Sequence, residues 1–440
     1  MKAESEPPSQ VREQPKLGLV RTSLWSLMAT IIKMVSGLFI SKTLAVFVGP
    51  SGFAIVGQFQ NFVQLSRTVA KAGIDTGVTK YTAEYCEKGV DLDALFSTSM
   101  RIVLTASAVT GALLITGSFW LALFLLQDAS HWYIFALFGF TIVLFSVNSL
   151  LLAILIGLQE VKIFVLINIA QSVSALFLTV FLIYVFGLSG ALMALVTNQS
   201  IVLVVLLWVI RKKKSLAVKK FSQPFRKDEA KRLASFSIMA VVTTIVAPIT
   251  TIAVRLEITN LLGLTEAGYW QAAWYVSSVY LTVVTTTLTI YYLPRFAALS
   301  NPNEIRRELI GGYRVIMPVV VIAALLLFFL KSVVVSVIFS DAFEPMLPLF
   351  KWMLVGDVIK IASWLFSYLM LAKAMMRPYI ATEIIFSVTF VVLSHVLIQK
   401  FGLEGVMYAH SINYLAYFVV VGLVTRSKWK SEKLEKGEQC

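Results

Sequence analysis

The sequence predicts an all-α integral membrane protein: twelve transmembrane helices in two six-helix lobes, related by a pseudo-two-fold axis along the membrane normal, with a central cavity. Three observations predict this. Of 440 residues, 58% are hydrophobic and only 14% charged, too little polar surface for a soluble chain of this length. Apolar runs of about 20 residues or more recur along the chain, long enough to cross a bilayer, and they are continuous rather than alternating, which excludes a membrane β-barrel. The second half of the chain repeats the first.

Residues 1–20 read as a disordered cytoplasmic tail, polar and proline-containing. The first apolar run is longer than a signal-peptide core and lacks a small-residue cleavage site, so it is a retained span. Spans 1 to 6 fall at 22–48, 52–80, 97–126, 132–156, 162–186 and 190–210, making an N-lobe over 21–210. The linker 211–232, RKKKSLAVKKFSQPFRKDEAKR, is basic. Spans 7 to 12 fall at 233–256, 267–294, 310–338, 346–372, 378–399 and 403–425, making a C-lobe over 233–425. Residues 426–440 form a charged, loose cytoplasmic tail.

Alternate loops differ in charge. Those at Gly49-Pro50-Ser51 and Gly187-Leu188-Ser189 carry none, whereas the linker, Arg295 to Arg307, Lys373 with Arg377, and Arg426 onward are basic. The positive-inside rule then places both termini in the cytoplasm. The net charge of +14 is therefore an orientation signal, and no nucleic-acid partner is expected. A shift of 215 residues superimposes Phe186-Gly187-Leu188-Ser189-Gly190 on Phe401-Gly402-Leu403-Glu404-Gly405, with 16 identities in the 43 positions from 169 to 211. Six spans per half is an even number, so both halves enter from the same side and the substrate path runs between them.

Within span 2, Gln60, Gln64, Arg67, Lys71 and Asp75 step by four, three, four and four residues. At about 100° per residue they occupy one narrow stripe. A charge at the bilayer centre costs about 2.5–3.5 kcal/mol, so the stripe faces either a water-filled cavity or another helix, where Asp75 can neutralise Lys71. Lys33, halfway along span 1 with no carboxylate within a turn, is too deep to snorkel. Lys42, nearer the outer end, can line the cavity or snorkel. Arg255 lies at the outer end of span 7 beside Glu257, as a gate, a structural pair or a ligand contact. Asp357 and Lys360, at i, i+3 in span 10, form either a local ion pair or an ion-coupling site built on the carboxylate. Trp270, Gln271 and Trp274 give span 8 an uncharged polar-aromatic wall suited to neutral sugars or to ordinary packing. His131, His395 and His410 are isolated and suggest no metal site. Cys86 and Cys440 suggest no disulfide, and no glycine-rich phosphate loop for ATP is present, so no cofactor is expected.

Leu24-Trp25, the run KMVSGLFISKTLAVFVGPSGFAIVGQFQNF (33–62), AGIDTGVTKYTAEY (72–85), YYLPRFAALS (291–300) and LVGDVIKIASWLFSYLMLAKA (354–374) resemble the Wzx-type O-antigen and enterobacterial common antigen translocases. Those are polysaccharide transporters of the MOP flippase superfamily. The resemblance implies a non-enzymatic flippase of the bacterial inner membrane that moves an undecaprenyl-pyrophosphate-linked oligosaccharide to the periplasmic leaflet. It also implies membrane lipids, a polysaccharide polymerase and a chain-length regulator as partners. Carried over to this chain, its cationic substrate-binding cavity comprises Lys33, Lys42, Arg67, Lys71 and Arg255. The rival readings are an ion-coupled multidrug exporter of the same superfamily, which favours acidic cavity walls, and a membrane polysaccharide polymerase, which needs a long outer catalytic loop.

Overall fold

A computed structural model describes residues 16–437 apart from 212–220, 222 and 300. Most of the N-terminal tail and the middle of the linker lie outside the described residues. The N-lobe contains α1 (Lys16–Phe47), α2 (Gly49–Ala70), α3 (Asp75–Lys88), α4 (Asp93–Thr116), α5 (Ser118–Leu126), α6 (Trp132–Gly157) and α7 (Val161–Ile210). The C-lobe contains α8 (Lys227–Leu262), α9 (Leu264–Thr287), α10 (Leu293–Ala298), α11 (Pro302–Phe329), α12 (Lys331–Ile338), α13 (Leu349–Ala372), α14 (Met376–Phe401) and α15 (Glu404–Gly437). The chain is helical because each apolar segment must satisfy its own backbone groups in lipid. Nine stretches among the described residues are long and apolar enough to span a membrane. One of them is the 50-residue α7, and neither α2 nor α9 is among them. Trp120, Phe140, Phe177, Tyr184 and Phe329 stand exposed on a scale that only a lipid surround accommodates.

The internal repeat is written into the backbone. Gly187 bends α7 at φ 56°, ψ −128°, and Gly402, its partner at the 215-residue shift, ends α14 at φ 59°, ψ −144°. Side chains are effectively excluded from that region of backbone space. Three residues on, the helix restarts hard against the one before it. A Cβ on Gly190 would lie 1.8 Å from the Leu182 carbonyl oxygen, and one on Gly405 would lie 2.2 Å from that of Leu397. Gln159 and Ala374, related by the same shift, both have left-handed backbones (φ 57° and 51°).

Several expected spans are broken. Span 2 divides at Lys71-Ala72-Gly73-Ile74, where Ala72 (φ 50°) and Gly73 (φ 63°) turn the chain left-handed and α2 is capped by local backbone hydrogen bonds. The polar stripe is therefore shared by two helices: Asp75 starts α3. Span 3 divides at Gly117 into α4 and α5, and span 9 divides at Leu330 into α11 and α12. Spans 5 and 6 are the two arms of α7, separate helices that meet at Gly187, whose backbone is not helical. The C-terminal tail, expected to be loose, continues α15 as helix to Gly437.

The largest hydrophobic core includes Phe53 and Phe59 of α2, Trp270 of α9, and Phe339, Phe343 and Phe350. It spans the two lobes at the end of the bundle where the base-free turns at Gly49 and Gly263 lie. A second core, around Phe96, Leu151 and Leu206, fills the N-lobe toward the base-rich end. A third, around Phe296, Ile361 and Leu365, does the same for the C-lobe.

Candidate functional site

At the base-poor end the lobes are sealed together. Small residues let α2 and α9 approach backbone to backbone: a Cβ on Gly268 would lie 2.0 Å from the Pro50 carbonyl oxygen, and one on Gly57 would lie 2.4 Å from the Gln271 side chain. Ser51 and Thr265 hydroxyls meet at 2.9 Å. The Phe53 ring stands edge-on to Phe339 and Phe343, centroids 5.6 and 5.7 Å away. Lys42 belongs to this seal: its ammonium donates to the backbone carbonyls of Ser336, at 2.7 Å, and Phe339, tying α1 to α12.

Arg255 is the polar centre of the seal and is fully buried. It donates through Nη1 to Gln58 Oε1 at 2.7 Å and through Nη2 to Gln271 Oε1. The Asn61 amide, turned with its oxygen toward the guanidinium, lies 3.2 Å away. Trp270 lies flush against it, 5.4 Å from the ring centroid, and is itself wholly buried; it is a packing residue of the seal rather than an open cavity wall. The expected Arg255–Glu257 pair is not made, because Glu257 faces α14 and meets His395 at 2.9 Å. Gln58 Nε2, Arg255 Nε and Trp270 Nε1 meet no hydrogen-bonding protein atom among the described residues.

Below the seal the polar residues of α2 diverge. Gln60 and Gln64 are exposed, and Gln64 lies two turns beyond Gly57 on the same helix face. Arg67 turns into the N-lobe, donating to the Leu195 carbonyl at 2.6 Å and lying 4.3 Å over the Phe145 ring. Lys71 pairs with Asp75, and Ser149 bridges both at 3.2 and 3.0 Å. One stripe has become two environments, because the turn at 71–74 gives its lower half a new helix axis. Lys33 is exposed. It shares a face of α1 with Gly37, whose Cβ position is 3.4 Å from the Tyr275 hydroxyl, and with Ser41, which hydrogen-bonds that hydroxyl. Lys33 therefore lies one turn along α1 from an interlobe contact. No carboxylate pairs with it among the described residues.

In the C-lobe, Asp357 and Lys360 do not pair. Asp357 is wholly buried and accepts from Ser277 Oγ at 2.7 Å and Tyr280 OH at 2.8 Å, with His410 Nε2 at 3.2 Å. Gly356 makes room for that imidazole: a Cβ there would be 2.2 Å from His410 Cδ2. Lys360 turns the other way, into a ring of Trp274, Trp364 and Tyr414.

Sequence reasoning missed Gln58, which lies off the stripe, and His410, read as isolated although it meets Asp357 across 53 residues. No local signal marks either. At the base-rich end the start of α8 meets the N-lobe through Leu233, buried in the N-lobe core, and through polar contacts. Tyr85 donates to Glu229 at 2.9 Å and accepts from Arg232 at 2.7 Å; burial, then the Glu229 carboxylate, push its phenol above the usual value. The last turn of the linker is thereby docked on the N-lobe.

Residues 19–300 match the profile of a family described as "Polysaccharide biosynthesis protein". The chain is 27% identical over 402 residues to the Lipid III flippase of Escherichia coli (strain K12), across 91% of this chain and 97% of that protein. Among solved structures it is similar to an inward-facing conformation of a multidrug resistance MATE family transporter of the MOP superfamily, with TM-score 0.76 and 14% identity over 92% of this chain and 95% of that one. It is also similar to an outward-facing conformation of such a transporter, with TM-score 0.66 and 15% identity over 96% and 97%. These likenesses show the two-lobe fold of that superfamily.

Proposed function

The chain belongs to the polysaccharide biosynthesis protein family, and from that premise we propose that it is a flippase for a polyprenyl-pyrophosphate-linked oligosaccharide. It serves O-antigen, enterobacterial common antigen or related surface-polysaccharide synthesis. The observation that carries the reading is Lys33: a cation exposed within an apolar span, with no ion-pair partner among the described residues, on the α1 face that also carries Gly37 at its approach to Tyr275. A cation so placed is costly against lipid and well suited to a pyrophosphate in a low-dielectric cleft. Gln60 and Gln64 supply uncharged polar wall beside it, and the polyprenyl chain stays in lipid. The 27% identity to the Lipid III flippase over nearly its whole length supports the same substrate class.

Transport proceeds by alternating access. The seal of Lys42, Phe53, Arg255 and Trp270 is the closed outer gate of an inward-open state, and the headgroup enters near Lys33 from the cytoplasmic side. Arg67 and Lys71 act behind it, holding the N-lobe wall through Leu195, Ser149 and Asp75. Twelve spans with both termini cytoplasmic follow from the alternation of basic and base-free loops. A cysteine replacing Ser189 is expected to react with an impermeant maleimide added outside intact cells; reaction only after permeabilisation would reverse the topology.

The deciding experiment is flipping of lipid-linked oligosaccharide in proteoliposomes. Lys33→Ala is expected to lower the initial rate about tenfold or more, since a hydrogen bond to a charged group contributes about 1.5–3 kcal/mol, with Lys33→Arg retaining most of it. Failure of the unaltered protein to flip would end the flippase reading. Normal rates in Lys33→Ala would remove the lysine from the site.

A further inference from the structure

The C-lobe holds a partly open cavity of about 190 Å³ among its helices, bordered by α8, α9, α13, α14 and α15. At about 30 Å³ per water, that is room for roughly six waters or for one pyranose ring. Two polar groups on its wall meet no hydrogen-bonding protein group among the described residues. The Lys360 ammonium sits 5.1, 5.1 and 5.2 Å from the ring centroids of Trp274, Trp364 and Tyr414, and no hydrogen-bond acceptor reaches it among the described residues. The Asn413 amide oxygen is buried with no donor among the described residues. Glu383 lies on the same wall, with one carboxylate oxygen accepting from Tyr417 OH at 2.7 Å and the other free of any partner seen among the described residues.

We propose that this cavity is a subsite for a single sugar ring of the transported oligosaccharide, a use that rests on the flippase reading. The walls carry one cation and one anion, so no net charge selects a free ion. A neutral polyol supplies what each wall group lacks: hydroxyl donors for Glu383 and Asn413, and an acceptor oxygen for Lys360. The indole of Trp364 and the phenol ring of Tyr414 offer apolar faces to the C–H face of a pyranose, the usual division of labour in a pocket with few, well-placed polar groups. Trp274 is held in place by stacking on Phe390, rings 19° from parallel, and by an edge contact with His410. The helices α8 and α9 that border the cavity are the ones that pack on α2 at the seal, so a sugar here touches the elements that must move when the gate opens.

The test compares two substrates in proteoliposomes: a polyprenyl pyrophosphate carrying an N-acetylhexosamine oligosaccharide, and the same lipid without sugar. Trp364→Leu and Glu383→Gln are each expected to slow the sugar-bearing lipid about tenfold while leaving the sugar-free lipid unchanged. Equal slowing of both, or of neither, overturns the subsite. If the unaltered protein moves neither lipid, the flippase reading fails, and the cavity is decided separately by quenching of tryptophan fluorescence with free glucose and free N-acetylglucosamine. Saturable quenching by either sugar, lost in Trp364→Leu, supports the subsite; no saturable quenching by either overturns it.

Discussion

Replacing Arg255 by alanine is expected to open the outer seal and to reduce flipping at least tenfold. The guanidinium joins α8 to α2 through Gln58 and to α9 through Gln271, and among the described residues no carboxylate neutralises it. Removing it deletes two hydrogen bonds to a charged donor, each contributing about 1.5–3 kcal/mol, and leaves the buried Gln58 and half-buried Gln271 amide oxygens without that donor. A net loss of about 3 kcal/mol from the closed state corresponds to roughly a hundredfold shift toward opening at this end. Ala54 reports it, being wholly buried beside Gln58 and Arg255. An Ala54→Cys reporter should be protected from an impermeant thiol reagent in the otherwise unaltered protein and react about a hundredfold faster once Arg255→Ala is added. Transport falls because a gate that no longer closes breaks the alternation between sides. Unchanged labelling would show that the apolar contacts of Phe53, Phe339 and Phe343 hold the seal alone. Arg255→Lys, which keeps the charge but loses the planar fork, should fall between the two.

Asp357→Asn is expected to uncouple flipping from an ion gradient while leaving headgroup binding intact. The carboxylate is wholly buried and is met by Ser277, Tyr280 and His410 rather than by a lysine. A permanent negative charge held by neutral hydroxyl donors and an imidazole is expensive in such a site, so an arriving proton or metal cation has something to neutralise. Moving one charge across 100 mV supplies about 2.3 kcal/mol, roughly a fiftyfold effect on a coupled equilibrium. In proteoliposomes the unaltered protein should respond to an imposed proton or sodium gradient, and the Asn variant should flip at a rate independent of it. A variant that keeps its full gradient response would reduce Asp357 to a structural acceptor tying α9 and α15 to α13. Exchanging Asp357 with Lys360 is uninformative, since their side chains point to different neighbours.

How far the site was legible follows from what each residue depends on. Lys33 was identified from depth and the absence of a nearby carboxylate, both properties of its own segment. The stripe on span 2 was identified by angle, but angle counted along one axis fails once the axis ends. Gly73 and the left-handed Ala72 end it, and Lys71 and Asp75 then face each other around a corner. For Arg255 the choice between gate, pair and ligand contact, and for Trp270 that between sugar wall and packing, stays open in the sequence, because nothing in span 7 or 8 reports that Gly57 and Gly268 let α2 close over them.

By itself the sequence determined the membrane class, the helical architecture and the duplication. Hydrophobic burden is a sum over neighbouring residues, and a repeat is visible wherever two stretches must make the same bend, as at Gly187 and Gly402. Only the tertiary structure decided which polar groups meet. Arg255 finds Gln58 across 197 residues and Asp357 finds Ser277 across 80. A helix's own periodicity says which of its sides is polar; packing in three dimensions decides what lies opposite.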